Sequence, residues 1–333
     1  MASRPHLQAL QQLAPTVELA GVYNRSEAAA MAVAERYQVP VFASSEAIAG
    51  DASIEAVILV TPPDQREALV RLFAAAGKHI LSEKPIERSS AQATTLVEVC
   101  EAAAVNFGIV FQHRFRAGAV RLGEIVRDGH LGDIAMVQVS VPWWREQSYY
   151  DVPGRGSYAR DGGGVLISQA IHGLDLMLSL TGPAASVQAL CATTSLHSLE
   201  AEDFAAGGIR FTSGAVGSIV ATTAAFPGGA ESLRIDGALG SASLESGRLT
   251  VHYRDGRTES LGESSGTGGG ADPMDFPCDW HRDLIADFID SIRTHRSPRI
   301  SGREGLRVHR LIDALVESSR SARQVDVEQE KAG

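Results

Sequence analysis

Cysteine is scarce in this chain of 333 residues, which has three in all. Cys100, Cys191 and Cys278 stand far apart and in no metal-ligand spacing, so neither a disulfide framework nor a zinc site is expected, and the three read as reduced thiols. No Lys/Arg run and no basic stripe interleaved with aromatics is present, and the formal net charge is -10. Such a surface repels a polyanion, so nucleic acid is not an expected partner. Long hydrophobic runs are missing as well. The longest strand-like one, AVILV (Ala56 to Val60), is far short of a membrane span, and the opening MASRPHLQAL holds no signal-peptide hydrophobic region. The expectation is a cytoplasmic protein with no membrane partner. What remains, 44% hydrophobic and 21% charged, is ordinary globular material, long enough for two domains with separate cores.

The first third repeats one rhythm. Short apolar runs (VELAGVY, EAVILVT, HILS, FGIVFQ) alternate with helix-length alanine-rich segments (SEAAAMAVAERY, DQREALVRLFAAAG, SAQATTLVEVCEAAA). Strands alternating with helices predict βαβ units and an α/β domain, residues 1–116, with a doubly wound parallel sheet. Beyond Arg116 the texture changes. After the helix-like AGAVRLGEIVRDGHLG come IAMVQVSV and then VQALCATT, GGIRFTSGAVGSIVATT, ESLRIDGALGSASLE and RLTVHY, whose near-alternation between turn residues predicts antiparallel strands. Residues 117–333 therefore read as an α+β domain with a mostly antiparallel open sheet. SSGTGGGADP reads as a surface loop without the Lys-Ser/Thr of a phosphate-binding loop, and WHRDLIADFIDSIRTH and GREGLRVHRLIDALVESSR as amphipathic helices.

Open α/β sheets bind ligands at the carboxyl ends of their strands. The residues that follow the apolar runs are Asn24-Arg25-Ser26, Thr61-Pro62-Pro63, Ser82-Glu83-Lys84-Pro85 and Gln112-His113-Arg114. Any one of these could be an ordinary strand-to-helix loop, but four polar or turn-forming clusters together suit a cofactor edge. A second unusual stretch is GGGVLISQAIHGLD, where three glycines precede an apolar run holding His172 and Asp175. If Val165 to Leu180 is helical, Ser168, His172 and Asp175 share one face, and the glycines let the backbone approach a ligand closely.

SEKPI at 82–86 paired with DGGGVLISQAIHGLD at 161–175 resembles the Gfo/Idh/MocA family of nicotinamide-dependent oxidoreductases, and the similarity runs from about Ser3 to about Val325. The resemblance implies a Rossmann domain, an α+β domain whose open sheet serves in homo-oligomer contacts, and an active site between them. It also implies hydride transfer to or from a secondary alcohol of a sugar, a cyclitol or a related cyclic small molecule. That chemistry needs an acid/base group and a cation beside the reacting oxygen. Lys84 is the family-type catalytic lysine, its ammonium favouring a developing alkoxide, and Pro85 pins its turn. His172 is the proton-transfer group, with a reference pKa of about 6.5, and Asp175 either orients its imidazole or caps a local hydrogen bond.

Two departures stand out. Many family members carry aspartate where this chain has Ser168, and glycine where it has Ala170. A serine hydroxyl can bind substrate but cannot act as a base at neutral pH, so proton transfer falls on His172. WWREQSYYDVPGRGSYARD resembles a subgroup's substrate loop, with Arg155 and Tyr158 as candidates for a hydroxyl or carboxylate contact, although its aromatics could equally be packing.

The expected cofactor edge comprises Asn24, Arg25, Ser26, Thr61, Pro62, Glu83, Lys84 and Gln112. Asn24-Arg25-Ser26 has no carboxylate to meet a ribose 2′-hydroxyl, and it offers a guanidinium and a hydroxyl suited to a 2′-phosphate. NADP is therefore favoured over NAD. A dinucleotide-binding sensor without turnover is the alternative from another class, opposed by intact Lys84 and His172. The family order also places a strand and a Gly-x-Gly-x-x-Gly turn before the first helix, whereas Ser3 already falls near the third glycine position. The expectation is that the sheet lacks its first strand and that the working protein begins upstream, with a short form of impaired cofactor affinity as the alternative.

Overall fold

The computed structural model describes residues 3–262 and 278–329, so the SSGTGGGADP loop lies outside the described residues. The first layer is built from α1 (Ser3–Gln12), α2 (Glu27–Tyr37), α3 (Ser45–Gly50), β1 (Ala56–Leu59), α4 (Arg66–Ala75), β2 (His79–Glu83), α5 (Ser90–Ala102) and β3 (Phe107–Val110). Serines set the helix starts: the hydroxyls of Ser26, Ser44 and Ser89 accept from the backbone N–H three residues on, capping α2, α3 and α5. The three strands pair in parallel in the order β1-β2-β3, with Ile58 opposite Leu81 and Leu81 opposite Gly108. VELAGVY, expected as a strand, contributes only one parallel bridge, Val22 to Val41. A strand exists only where its backbone groups find a ladder, and that segment has no second partner among the described residues.

The second layer begins with α6 (Ala117–Arg127), β4 (Ile134–Pro142), α7 (Gln147–Tyr150) and α8 (Ile171–Thr181). It continues through β5 (Ala184–Ala192), β6 (Phe204–Phe211), β7 (Val216–Thr222), β8 (Ser232–Gly237), β9 (Gly240–Glu245), β10 (Arg248–Tyr253) and β11 (Thr258–Leu261). With β12 (Val325–Asp326) these strands form a nine-stranded sheet in the order β11-β10-β9-β8-β4-β7-β6-β5-β12, antiparallel except where β4 meets β7. Alternation assigns its faces. Val137, Val139, Val141, Ile219 and Ala221 are buried on one face, where α8 packs on β4, while Met136, Val216, Val220 and Leu190 are exposed on the other side.

The last helices, α9 (Asp279–Arg293) and α10 (Gly302–Ser321), return toward the first layer. Phe288 of α9 lies against β3 at Gly108, and the Asn106 amide donates to the Ser291 hydroxyl and the Arg296 carbonyl. Buried Leu306, Leu311 and Leu315 face α10 inward between α5, α8 and β5. One continuous apolar core joins both sheets, which fixes the end of β2 relative to the start of α8. Among the described residues no helix is long and apolar enough to cross a membrane.

Candidate active site

β2 ends at Glu83, and the Lys84–Pro85 peptide bond that follows is cis. From there Lys84 reaches across to the second layer, where its Nζ donates to the Ser168 carbonyl at 2.7 Å. Ser168 does not lie in a regular α-helix. Residues Leu166–Ala170 form a π turn directly ahead of α8, so Ser168 and His172 are not joined by regular α-helix as the sequence spacing predicts. Such a turn widens the ladder locally and recurs at functional sites. Buried Arg66 ties the neighbouring loops together: its Nε and one terminal nitrogen donate to the Thr61 carbonyl at 2.9 and 2.7 Å, and the other donates to the Pro85 carbonyl.

His172 stands in the first turn of α8 and is 7% exposed. Its ring stacks on His113 with centroids 4.5 Å apart and planes 22° from parallel, and Phe111 meets it edge-on at 6.0 Å. The Nδ1 atom is buried without a hydrogen-bond partner, so packing and not a carboxylate sets the ring's orientation. Burial first, then the nearby Lys84 charge, holds the imidazole well below its ordinary pKa. His113 is fixed in turn. Arg116, which can only donate, meets His113 Nε2 at 2.7 Å and Glu231 at 2.6 Å while lying 4.5 Å over the Trp280 ring. Nε2 of His113 is therefore the acceptor, and its proton belongs on Nδ1. Burial, followed by the Arg116 charge, also keeps His113 neutral. Burial lowers Lys84, against the opposing pull of Glu83.

Two expectations from the sequence, for Asp175 and for the glycines, do not hold in this geometry. Asp175 neither orients His172 nor faces a ligand: it is 1% exposed, and both its oxygens accept from Arg114, at 2.6 and 2.7 Å. Glu304 of α10 takes a third Arg114 nitrogen at 3.2 Å. Burial works against the guanidinium, but the two carboxylates outweigh it and hold Arg114 above its ordinary range. Two of the three glycines serve close approach to protein backbone. A Cβ on Gly164 would sit 1.8 Å from the Glu202 carbonyl oxygen, and one on Gly162 (φ +84°) 2.6 Å from the Arg88 backbone. Buried Glu202 then accepts from the N–H groups of Gly164 and Leu166, holding the start of the π turn. Finally, Arg155 and Tyr158 part company. Arg155 lies 4.2 Å over Tyr149, whose hydroxyl accepts from Gln169 at 3.1 Å, whereas Tyr158 sits beneath Arg320 of α10.

The other candidate residues line the strand ends. Asn24, Arg25 and Ser26 are exposed. Asn24 accepts from the Ser26 N–H, Ser26 caps α2, and Arg25 donates to Gln65 at 2.9 Å. Thr61 Oγ1 and Gln112 Oε1 are buried with no partner, and Pro62 leads into the turn Pro63–Gln65. Glu83 accepts from His6 Nε2 at 2.8 Å. Burial pushes its carboxyl up, but that hydrogen bond and the adjacent positive charges overcome it and hold it down at about 2. His6, Glu83 and His281 each bring one donor atom within 4.8 Å of the others, a set able to hold a metal ion. Sequence spacing could not show that set, because its members come from α1, β2 and α9. Arg116, Glu202 and Tyr149 were likewise missed, and His113 was named only as part of the strand-end cluster Gln112-His113-Arg114, not as the partner of His172.

A parallel sheet with polar strand ends is joined by a lysine to the turn ahead of a helix bearing a desolvated histidine. The comparisons with known proteins give the class of protein. A model described as "Oxidoreductase family, NAD-binding Rossmann fold" matches residues 1–111, and the GFO/IDH/MocA C-terminal domain matches residues 119–243. The chain belongs to the Gfo/Idh/MocA family, and it is an oxidoreductase. It is 27% identical over 318 residues to inositol 2-dehydrogenase of Rhizobium meliloti, covering 93% of this chain and 91% of the relative. A D-xylose 1-dehydrogenase (NADP(+)) of Haloferax volcanii is 24% identical over 93% of this chain and 92% of its own length. The WlbA dehydrogenase of Bordetella pertussis, solved with NADH and UDP-GlcNAcA, superposes with a TM-score of 0.84 at 28% identity, covering 98% of this chain and 96% of that one.

Proposed function

We propose that the chain moves a hydride between nicotinamide and a secondary alcohol of a sugar or cyclitol, with Lys84 and His172 as the residues at the reacting oxygen. The observation that carries this reading is the 2.7 Å contact from Lys84 Nζ to the Ser168 carbonyl, which joins the Glu-Lys-Pro turn to the helix of His172. The strand ends fit the cofactor, since the unpartnered Thr61 Oγ1 and Gln112 Oε1 are buried polar atoms of the kind a bound ligand satisfies. When bound, the nicotinamide supplies a hydride acceptor at its C4 carbon. His172, kept neutral by its surroundings, accepts the alcohol proton. Lys84 hydrogen-bonds the same oxygen and favours its anionic form. Asn24, Arg25 and Ser26 form the adenosine end, and the unpaired charge of Arg25 supports NADP over NAD.

The reading is tested by following reduced-nicotinamide absorbance with inositols and aldoses, with NADP and with NAD. Absence of turnover across the panel, together with no thermal shift by either cofactor, overturns it. The exposed Met136, Val216, Val220 and Leu190 support a homo-oligomer joined through the outer face of the large sheet. Light scattering that reports a monomer at working concentration rejects that assembly.

A further inference from the structure

Three side chains that have no step in hydride transfer converge beside Lys84 from separate elements. His6 comes from α1, Glu83 from the end of β2 and His281 from the first turn of α9. His6 Nε2 lies 2.8 Å from Glu83 Oε1, and the two imidazoles meet edge to face with centroids 4.9 Å apart. One ring nitrogen of each histidine and one carboxylate oxygen all lie within 4.8 Å of one another. No other three His, Cys, Asp or Glu side chains among the described residues bring such atoms so close. Both histidines are buried, whereas the Glu83 side chain is 15% exposed, so solvent reaches the group there.

The protonation states suit a cation, since side chains ligate metals only when deprotonated. Burial pushes the Glu83 carboxyl up, yet the His6 hydrogen bond and nearby positive charges hold it at about 2, and burial lowers His281 to about 4. Both are in the ligating form at neutral pH. His6 Nδ1 has no hydrogen-bond partner, so nothing pins the tautomer: with the proton on Nδ1, Nε2 becomes a free lone pair. Tetrahedral zinc places neighbouring N and O ligands about 3.4 Å apart. The 2.8 Å pair has to open and the wider spacing to close, both within the reach of side-chain torsions. The backbone is already set, because Gln12 of α1 donates to Cys278 Sγ at 3.3 Å and accepts from Arg282 of α9 at 3.3 Å.

We propose that His6, Glu83 and His281 form a binding site for one divalent transition-metal ion of the zinc class, with a solvent molecule as the fourth ligand. Two imidazoles and one carboxylate select zinc, cobalt or nickel over magnesium and calcium, which prefer all-oxygen ligands. The ion cross-links α1, β2 and α9, and since the unfolded chain does not hold these three groups together, it stabilises the fold. The site stands whether or not the dehydrogenase reading does.

The test uses the full chain without an affinity tag, stripped with a chelator, dialysed free of it and titrated with zinc, cobalt and magnesium chlorides. The expected result is one equivalent of zinc by calorimetry, and a melting temperature raised by about 2–4 °C when free zinc is a hundred times Kd. Cobalt should give the intense visible bands of a four-coordinate ion, bleached by one equivalent of zinc, and magnesium should do nothing. His6→Gln and His281→Gln should each weaken zinc by at least about tenfold. Absence of one-equivalent zinc binding overturns the proposal. Zinc affinity unchanged in both glutamine variants also overturns it, since the ion then sits on other side chains. If neither variant folds, the unsubstituted chain decides: four-coordinate cobalt displaced by one equivalent of zinc supports the site, and its absence overturns it.

Discussion

His172 and Asp175 lie three residues apart on one helix, and both are buried, yet they end in opposite situations. Asp175 has each oxygen taken by Arg114, and Arg114 is further held by Glu304. His172 has a buried Nδ1 with no partner and is surrounded by rings. A buried charge that is fully paired contributes architecture, because removing either member strands the other in a low dielectric. A buried titratable group left unpaired keeps its hydrogen-bonding capacity for something else, and its pKa is displaced by the cost of charging it. Burial therefore does not separate a structural residue from a functional one. What separates them is whether the polar valences are filled.

The sharpest way to break this comparison is to remove the unfilled side. Since His172 is packed on two rings, truncation to alanine would leave a cavity and confuse chemistry with stability, so near-isosteric changes are preferred. Lys84→Met and His172→Gln should each lower turnover by about 10²- to 10⁴-fold, with melting temperature nearly unchanged. Near-normal turnover in either variant removes that residue from the reaction. The filled side should behave in reverse. Asp175→Asn or Arg114→Leu should cost about 3–5 kcal/mol of folding stability, read from urea denaturation, while the protein that remains folded keeps turnover within a few-fold. A variant that melts normally but has lost activity would place the pair in the chemistry after all.

Acidification sharpens the same contrast. The His172 and His113 imidazoles are held well below their ordinary value, so the rise of alcohol oxidation with pH should lie below pH 6.5, with a flat rate from about 6.5 to 8. A limb centred near 6.5 would mean that His172 titrates as an exposed imidazole does. Stability has the same sign. The unfolded chain takes up histidine protons near pH 6.5, whereas folded His281 does so at about 4 and His309 at about 3. Below about 6.5 the unfolded state thus binds more protons, and stability should fall steadily from there toward pH 3. Melting temperatures that hold constant between pH 6.5 and 4 would contradict that burial.

Much of this was legible in the sequence. Lys84 is one of only three lysines, with Lys78 and Lys331, and it alone stands in a Glu-Lys-Pro turn at a strand end. The two sheets announced themselves by period, and α9 and α10 by amphipathic pattern. The pairing of Arg114 with Asp175 was not legible, because it joins residues separated by the whole of α6, β4 and α7, and periodicity carries no information about side-chain partners at that range. The π turn was equally hidden: LISQAIHGLD has good helical spacing, and nothing in it announces the hydrogen bonds from Gly164 and Leu166 to the distant Glu202. Gly162 and Gly164 were correctly singled out but wrongly explained, since a glycine shows that something comes close without showing what.

The smallest effect is expected where the chain is most exposed. Arg25 has neither the burial of His172 nor the full pairing of Asp175: it is exposed, and its one side-chain hydrogen bond goes to the neutral Gln65. A guanidinium so placed is free to exchange that amide for a phosphate, and charge-assisted contacts to phosphate exceed neutral ones by about twofold in strength. Water screens an exposed charge, so the gain stays modest. Arg25→Ala should therefore weaken NADP by roughly tenfold, about 1.4 kcal/mol, and NAD by much less. Ser26 offers an internal control, because its hydroxyl already caps α2, and Ser26→Ala should lower the stability of that helix by about 1 kcal/mol. Titrating both cofactors into the Arg25 variant decides the matter. Equal weakening of NADP and NAD would move Arg25 to the adenine or to packing, and would leave the choice between the two cofactors to residues other than Asn24-Arg25-Ser26.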